Sequence, residues 1–119
     1  MREPASIILR LSDIVEAIDH LRSTTAGIDL VAFQRDWEKR WLVERGLEII
    51  SEASRHLPDE LKARHLGIPW PRVAAIGNVL RHEYERTEPA LLWEVVQNHL
   101  GPLRDVCQRE LERTRRQRS

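Results

Sequence analysis

Cysteine is nearly absent from the 119-residue chain, which contains Cys107 and no other. A single cysteine cannot form an intramolecular disulfide, and without a companion cluster it makes neither a zinc site nor a redox pair. We therefore interpret Cys107 as a small buried hydrophobic residue. The histidines outside the segment described below show no metal-ligand spacing, and we predict that the protein uses no metal or other cofactor. These histidines are His20, His56, His65 and His99.

Long apolar runs are also missing. No stretch approaches the roughly 20 apolar residues that a transmembrane helix needs, and the first residues lack the apolar segment of a signal peptide. We therefore expect a cytoplasmic protein with no membrane partner. Basic and acidic residues balance at 19 each, which argues against a surface coated in positive potential. Arginines crowd only the C-terminal end, and we divide the chain into a helical bundle domain at residues 1–112 and a basic tail at residues 113–119.

Strand-like alternation, internal repeats and a glycine-rich phosphate loop do not occur, whereas apolar residues recur with helical spacing along the chain. The fold class is predicted to be all-α, a bundle of four or five helices. At this length a single domain can form its own core, and a dimer would be unsurprising. The predicted helices cover about 6–23, 30–57, 59–65, 71–84 and 88–111, the last one burying Leu91 and kinking at Gly101 and Pro102.

The second predicted helix carries an aromatic stripe, because Phe33, Trp37 and Trp41 follow one another at fourfold spacing. Such a stripe is more often core or dimer interface than a platform on which bases stack. Two glycines, Gly46 and Gly77, interrupt helices at a cost of up to about 1 kcal/mol each relative to alanine. Both favour a packing explanation, in which two helices approach closely.

Polar side chains concentrate in the segment Ile76–Tyr84, which reads Ile-Gly-Asn-Val-Leu-Arg-His-Glu-Tyr. Within about two helical turns, Asn78 and His82 share one face, while Arg81 and Tyr84 share another. Each has an ordinary alternative role: a histidine can lie on the surface or cap a helix, and a tyrosine at a helix end can pack its ring and expose its hydroxyl. Together they form a candidate site for a substrate or a partner.

This segment, with residues 91–93 (Leu-Leu-Trp) and 97–100 (Gln-Asn-His-Leu), resembles the HEPN-domain proteins of the HepT toxin type. Residues 45–53 are similar to a second helical segment of that family. The resemblance implies a small all-helical homodimer paired with a minimal nucleotidyltransferase antitoxin. Active members are metal-independent ribonucleases, and their signature is an arginine, four intervening residues, a histidine, one further residue and a tyrosine.

The resemblance assigns roles to the residues that match this signature. A histidine suits general acid or base catalysis on the ribose 2′-hydroxyl and the leaving 5′-oxygen because its unperturbed pKa of about 6.5 is close to physiological pH. His82 would fill that role, and Asn78 would orient His82 or the phosphate. Tyr84 matches the tyrosine to which the antitoxin attaches AMP, which silences the toxin. Gly77 stands where the family has its phosphate-binding arginine and cannot replace it.

Three interpretations of the missing arginine stay open. Arg81 contacts the phosphate instead, although neighbouring helical positions point about 100° apart. Alternatively, Arg45 or Arg86 reaches in from elsewhere. In the third, the ribonuclease activity is lost and the protein binds a nucleotidyltransferase or RNA without cutting. The leading hypothesis is an endoribonuclease toxin that cleaves tRNA or mRNA at a dimer groove; an ordinary helical dimer with no toxin role is a further alternative.

Overall fold

The computed structural model describes residues 4–82 and 88–118, without the side chains of Val79, Arg81, His82 and Arg118. This part of the chain forms seven helices and contains no strand, so the predicted all-α fold class is confirmed. In chain order the helices are α1 (Pro4–Thr25), α2 (Leu30–Arg35), α3 (Trp37–Arg55), α4 (Asp59–Ala63), α5 (Trp70–His82), α6 (Pro89–Asn98) and α7 (Leu100–Arg118).

The count rises from five to seven because two predicted helices are divided. The helix predicted over 30–57 stops at Asp36, whose backbone is extended and whose side chain accepts the N–H of Lys39 to begin α3. Aspartate is a favoured N-cap, so a new helix starts there at little cost. The last predicted helix breaks at His99 rather than kinking at Pro102. Pro102 has no N–H to donate to the carbonyl of Asn98, and the helix before it therefore ends.

Helix α1 lies at the centre of the bundle, packed between α3 and α7, and α5 packs on the other side of α3. Its apolar stripe includes Leu11, Ile14 and Ile18, none of which is exposed. The short α2 is held against α6 by the rings of Phe33 and Trp93, whose centroids are 5.4 Å apart. Burying these apolar faces supplies most of the stability of such a bundle.

Some residues predicted to lie in the core, or for the aromatic stripe in the core or a dimer interface, are not buried in this chain. Phe33 has no exposed surface, but Trp37 and Trp41 are 52% and 66% exposed, so the stripe is core only at its first position. Leu91 is also exposed, to 51%, and its predicted burial is wrong. The break at Asp36 accounts for the stripe, because it separates the helix that carries Phe33 from the one that carries the tryptophans.

Cys107 lies within α7 and is fully buried, as predicted. Burial raises the pKa of its thiol to about 12, with a smaller contribution from the negative charge of Glu110. The thiolate is the reactive form of cysteine, and it is scarce at neutral pH with such a pKa. Cys107 is therefore a packing residue.

The C-terminal residues extend α7 as far as Arg118. Thr114, which belongs to the predicted basic tail, is buried and its hydroxyl donates to the carbonyl of Glu110 at 2.7 Å. The division of the chain at residue 112 stays a prediction. None of the helices in the two described ranges is both long and apolar enough to cross a membrane.

Gly46 allows α3 to approach α1 closely, which confirms a packing role for this glycine. A Cβ atom at residue 46 would lie 2.5 Å from Cδ2 and 2.8 Å from Cγ of Leu21, a core residue of α1. Gly77 instead contacts Ser51 of α3 through its backbone N–H. The two glycines therefore serve different helix pairs.

We expect Gly46→Ala to lower the free energy of unfolding by about 1–2 kcal/mol. Overpacking against Leu21 costs about 1–3 kcal/mol, and the better helix propensity of alanine returns up to about 1 kcal/mol. Urea unfolding followed by circular dichroism measures the difference. Gly67→Ala is the matched control, because a Cβ there meets no atom within 4 Å and φ is not positive. Equal stability of the two variants would contradict a steric role for Gly46.

Candidate functional site

Helix α5 carries the polar segment and runs antiparallel to α3. At its start, the indole N–H of Trp70 donates to the carbonyls of Lys62 and His65, at 3.1 and 3.0 Å, in the segment that follows α3. Farther along, Gly77 lies opposite Ser51 in the second half of α3. The C-terminal end of α5 is therefore directed towards the N-terminal half of α3.

Two side chains of α3 hold the backbone of α5 just before the signature residues. The Ser51 hydroxyl is buried, donates to the carbonyl of Ala74 at 2.7 Å and accepts the N–H of Gly77 at 3.1 Å. The Arg55 guanidinium donates to the same carbonyl through Nε and Nη2, at 3.2 and 2.8 Å. Hydrogen bonds to a charged donor are stronger than neutral ones. These contacts with α3 thus fix the position of the next helical turn of α5, in which the signature begins.

The residues assigned to the site fall on this anchored helix or just beyond it. Asn78 is exposed, and the helical backbone of Arg81 and His82 ends α5. The side chains of Arg81 and His82 lie outside the described part of the protein. So do Tyr84 and Arg86, which follow α5.

Gly77, at the position of the family's arginine, is buried. Of the alternative cations, Arg45 is described: its side chain is 71% exposed and lies 3.4 Å from Glu48. An exposed ion pair of this kind contributes at most about 1 kcal/mol. The guanidinium of Arg45 can therefore leave Glu48 for a phosphate at small cost.

Arg40 of α3 is a cation that the sequence did not single out. Its side chain is partly buried, and its Nε is buried without a hydrogen-bond partner in the described structure. An unsatisfied buried donor costs about 1–3 kcal/mol. Burial raises the pKa of Glu44, one turn away, and the Arg40 guanidinium opposes this without cancelling it. No spacing or motif marks Arg40 among the other arginines of the chain.

An apolar groove of about 390 Å³ opens between α5, α6 and the start of α7, and Ile50 of α3 also lines it. Val73 and Ile76 of α5 face Val95 of α6 across it. At its rim His99 lies 3.2 Å from Glu94, and both are more than half exposed. The groove can therefore hold an apolar group.

A third polar cluster joins the end of α4 to α7, away from the signature. One carboxylate oxygen of Glu110 accepts from Arg64 Nη2 and the other contacts His65 Nε2, both at 2.7 Å. The Glu110 side chain is only 4% exposed. Burial would raise its pKa, but the hydrogen bonds and charges of Arg64 and His65 together hold it below the ordinary value. Such a cluster connects helices rather than binding a substrate.

Over residues 4–82 and 88–118, no three His, Cys, Asp or Glu side chains group in a way that could hold a metal ion.

The fold and the anchored signature define a small HEPN-type helical bundle. Residues 14–110 match the family model described as Ribonuclease HepT-like, and the chain belongs to this family. The resemblance drawn from the signature is thereby confirmed. The roles of the signature residues stay predictions.

Relatives of similar length support the assignment. A protein of Thermococcus cleftensis named "Probable ribonuclease HepT" is 35% identical over 94 residues, which are 79% of this chain and 86% of the relative. A protein of Methanocaldococcus jannaschii, provisionally described as an RNase, is 31% identical with the same coverage. Another, of Caldanaerobacter subterraneus, is 29% identical over 84% of this chain and 93% of its own length. No solved structure matches the chain.

Proposed function

We propose that this protein is a HepT-type endoribonuclease that cleaves RNA without a metal ion, with His82 as the catalytic acid or base. Membership of a family described as ribonucleases supports the class of reaction. The observation that carries the proposal to this chain is the attachment of α5 to α3 through Ser51 and Arg55, immediately before the signature. A site built on an anchored helix keeps its catalytic groups in one geometry, which such chemistry requires.

In the proposed reaction the ribose 2′-oxygen attacks the neighbouring phosphorus. His82 accepts the 2′-hydroxyl proton, the bond between phosphorus and the 5′-oxygen breaks, and an acid protonates the departing 5′-oxygen. Asn78 orients His82 or the phosphate. Arg81 supplies the cation that meets the charge growing on the phosphate oxygens, in place of the arginine that the family has at residue 77.

The toxin context is part of the proposal. A homodimer would bring two copies of α5 to one groove, and a nucleotidyltransferase antitoxin would silence the enzyme by attaching AMP to Tyr84. This modification needs an exposed hydroxyl, and the acidic neighbours Glu83 and Glu85 favour exposure of that segment.

The test is a gel assay of transfer RNA cleavage in the presence of EDTA, comparing the protein with its His82→Ala variant. Cleavage that depends on His82 supports the proposal. A protein that folds and binds RNA but does not cut it would favour the second candidate, a binding module. That candidate has its own observation, since Gly77 at the arginine position is buried and hydrogen-bonded to α3.

Gly77→Arg separates the two candidates. Because residue 77 is buried, we expect the new side chain to strain the contact between α3 and α5 and to lower the free energy of unfolding by about 1–3 kcal/mol. If the natural protein cuts RNA with Arg81 as the phosphate-binding cation, the Gly77→Arg variant should cut no faster than the natural protein. If instead the natural protein does not cut RNA and its Gly77→Arg variant does, the protein has a ribonuclease fold that lost its activity with the arginine. Thermal melts run beside the assay show what fraction of each variant is folded.

A further inference from the structure

Two tryptophans stand on the surface of α3 near its start. Trp37 and Trp41 are 52% and 66% exposed, and their rings meet edge to face with centroids 4.9 Å apart and planes at 73°. In this arrangement the edge of one ring contacts the face of the other, so ring faces remain open to solvent. Large aromatic side chains usually bury their area, and an exposed pair on one helix marks a binding surface.

Three basic residues neighbour this pair in the sequence. Within the described ranges, Arg35, Lys39 and Arg40 take part in no ion pair. Arg40 lies between the two tryptophans in sequence and has the buried, unsatisfied Nε described above. These cations are complementary to a phosphate backbone.

Most carboxylates of the same segment either accept a hydrogen bond, form an ion pair or have a raised pKa. Asp36 caps α3 by accepting the N–H of Lys39 at 3.1 Å, and Glu48 pairs with Arg45. Burial raises the pKa of Glu44, which favours its neutral form relative to an ordinary glutamate. Glu38 remains as an exposed acid beside Trp37. Residues 35–48 nevertheless hold four basic and four acidic residues, so the formal charge of the segment is balanced.

The tryptophan pair also lies towards the end of α5 that carries the signature. From Gly77, which contacts Ser51, the chain advances five residues to His82, while α3 runs back ten residues to Trp41. At a rise of about 1.5 Å per residue in antiparallel helices, Trp41 lies about 8 Å along the helix axis beyond the level of His82. An RNA strand whose phosphate reached His82 could continue onto this surface.

We propose that Trp37 and Trp41 form a stacking surface for unpaired bases of an RNA substrate, with Arg40 contacting the adjacent phosphate. The inference rests on the proposed ribonuclease function and names the part of the substrate that is bound, a single-stranded segment beside the cleaved bond. Bases within a duplex stack on each other and cannot reach an indole face, whereas unpaired bases can. A second copy of the chain is the competing occupant, and the position of the pair beside the signature end of α5 favours RNA over it.

The experiment measures binding separately from cleavage. A short, fluorescein-labelled single-stranded RNA with 2′-O-methyl groups lacks the attacking hydroxyl, so it binds without being cut. Its affinity is measured by fluorescence anisotropy for the natural protein and for Trp37→Ala and Trp41→Ala. We expect each substitution to weaken binding by about 5- to 150-fold, which corresponds to about 1–3 kcal/mol per stacked base. A duplex of the same sequence should bind with little dependence on either tryptophan.

Four further variants control the interpretation. Trp41→Phe keeps an aromatic face and should retain most of the affinity, whereas Trp41→Leu keeps apolar area without a ring and should not. Arg40→Gln should reduce the slope of log affinity against log salt concentration by about one. Leu66→Ala removes another exposed apolar side chain, 83% exposed and outside α3, and should leave the affinity unchanged.

The results that would overturn the proposal differ from those that would overturn the ribonuclease function. Unchanged affinity of Trp37→Ala and Trp41→Ala refutes the stacking surface even if the protein cuts RNA. Light scattering that shows the tryptophan variants turning from dimer to monomer, with equal affinity for RNA per chain, assigns the surface to a second copy. Tryptophan-dependent binding by a protein that cuts no RNA upholds the surface and refutes the catalytic proposal.

Discussion

His82→Ala is expected to reduce the rate of RNA cleavage by a factor of about 10²–10⁴, the usual contribution of general acid–base catalysis. Alanine cannot accept the 2′-hydroxyl proton or return one to the leaving oxygen. Initial rates on a defined transfer RNA, measured without divalent ions, give the ratio. The substitution lies at the last residue of α5 and should leave the fold intact, which a thermal melt checks.

His99→Ala is the matched control for this prediction. His99 is 61% exposed, lies between α6 and α7, and its ring is 3.2 Å from the exposed carboxylate of Glu94. It should retain nearly full activity. If both histidine variants lose activity equally, or if His82→Ala keeps it, His82 is not the catalytic acid or base. If His82→Ala binds RNA with nearly the natural affinity, the loss of activity lies in the catalytic step and not in substrate binding.

The second large effect concerns stability. Glu110→Ala is expected to lower the free energy of unfolding by about 3 kcal/mol, the lower end of the range for breaking a buried ion pair. The carboxylate is 4% exposed and satisfies both Arg64 and His65. Arg64 is 36% exposed and can turn towards water, which is why the lower end applies. Urea unfolding measures the change, and Glu112→Ala, an exposed glutamate of the same helix, should change stability by less than about 0.5 kcal/mol.

The same carboxylate makes stability depend on pH. The pKa of Glu110 is lower in the folded protein than its ordinary value of 4.5. The folded state therefore binds the proton less readily than the unfolded chain, and Glu110 stabilises the fold fully above about that pH. Its contribution is lost as the pH falls below 4.5 through the folded pKa.

Glu110→Gln tests this dependence while keeping the size of the side chain. The variant should be less stable than the natural protein at neutral pH and should lose less stability on acidification below pH 4.5. Asp19, whose pKa is lowered by its hydrogen bond to Arg104, titrates in the same region but is half exposed, so its share is small. Parallel stability curves for the two proteins would show that Glu110 does not carry the pH dependence.

The sequence was most informative where one local rule decides the outcome. Helical periodicity identified an all-α chain, and a short signature of polar residues identified its family before any contact was known. Aspartate is a favoured N-cap residue, and Asp29 begins α2 by accepting the N–H of Ala32 at 2.9 Å. Cys107 was expected to be buried and is. Each of these depends on residue type and spacing along a few turns of chain.

The tertiary structure decided what depends on contacts between distant segments. Aromatic spacing alone could not show that Trp37 and Trp41 face solvent, because the break at Asp36 separates them from Phe33. Nor could spacing show that Ser51 and Arg55 hold the backbone of α5, or that Arg40 has an unsatisfied buried nitrogen. These pairings join residues about 20 positions apart, and burial is fixed only when helices pack. The sequence by itself thus determined the all-α class, the family and the candidate catalytic residues, whereas packing determined what anchors α5 and which surface is left for a partner.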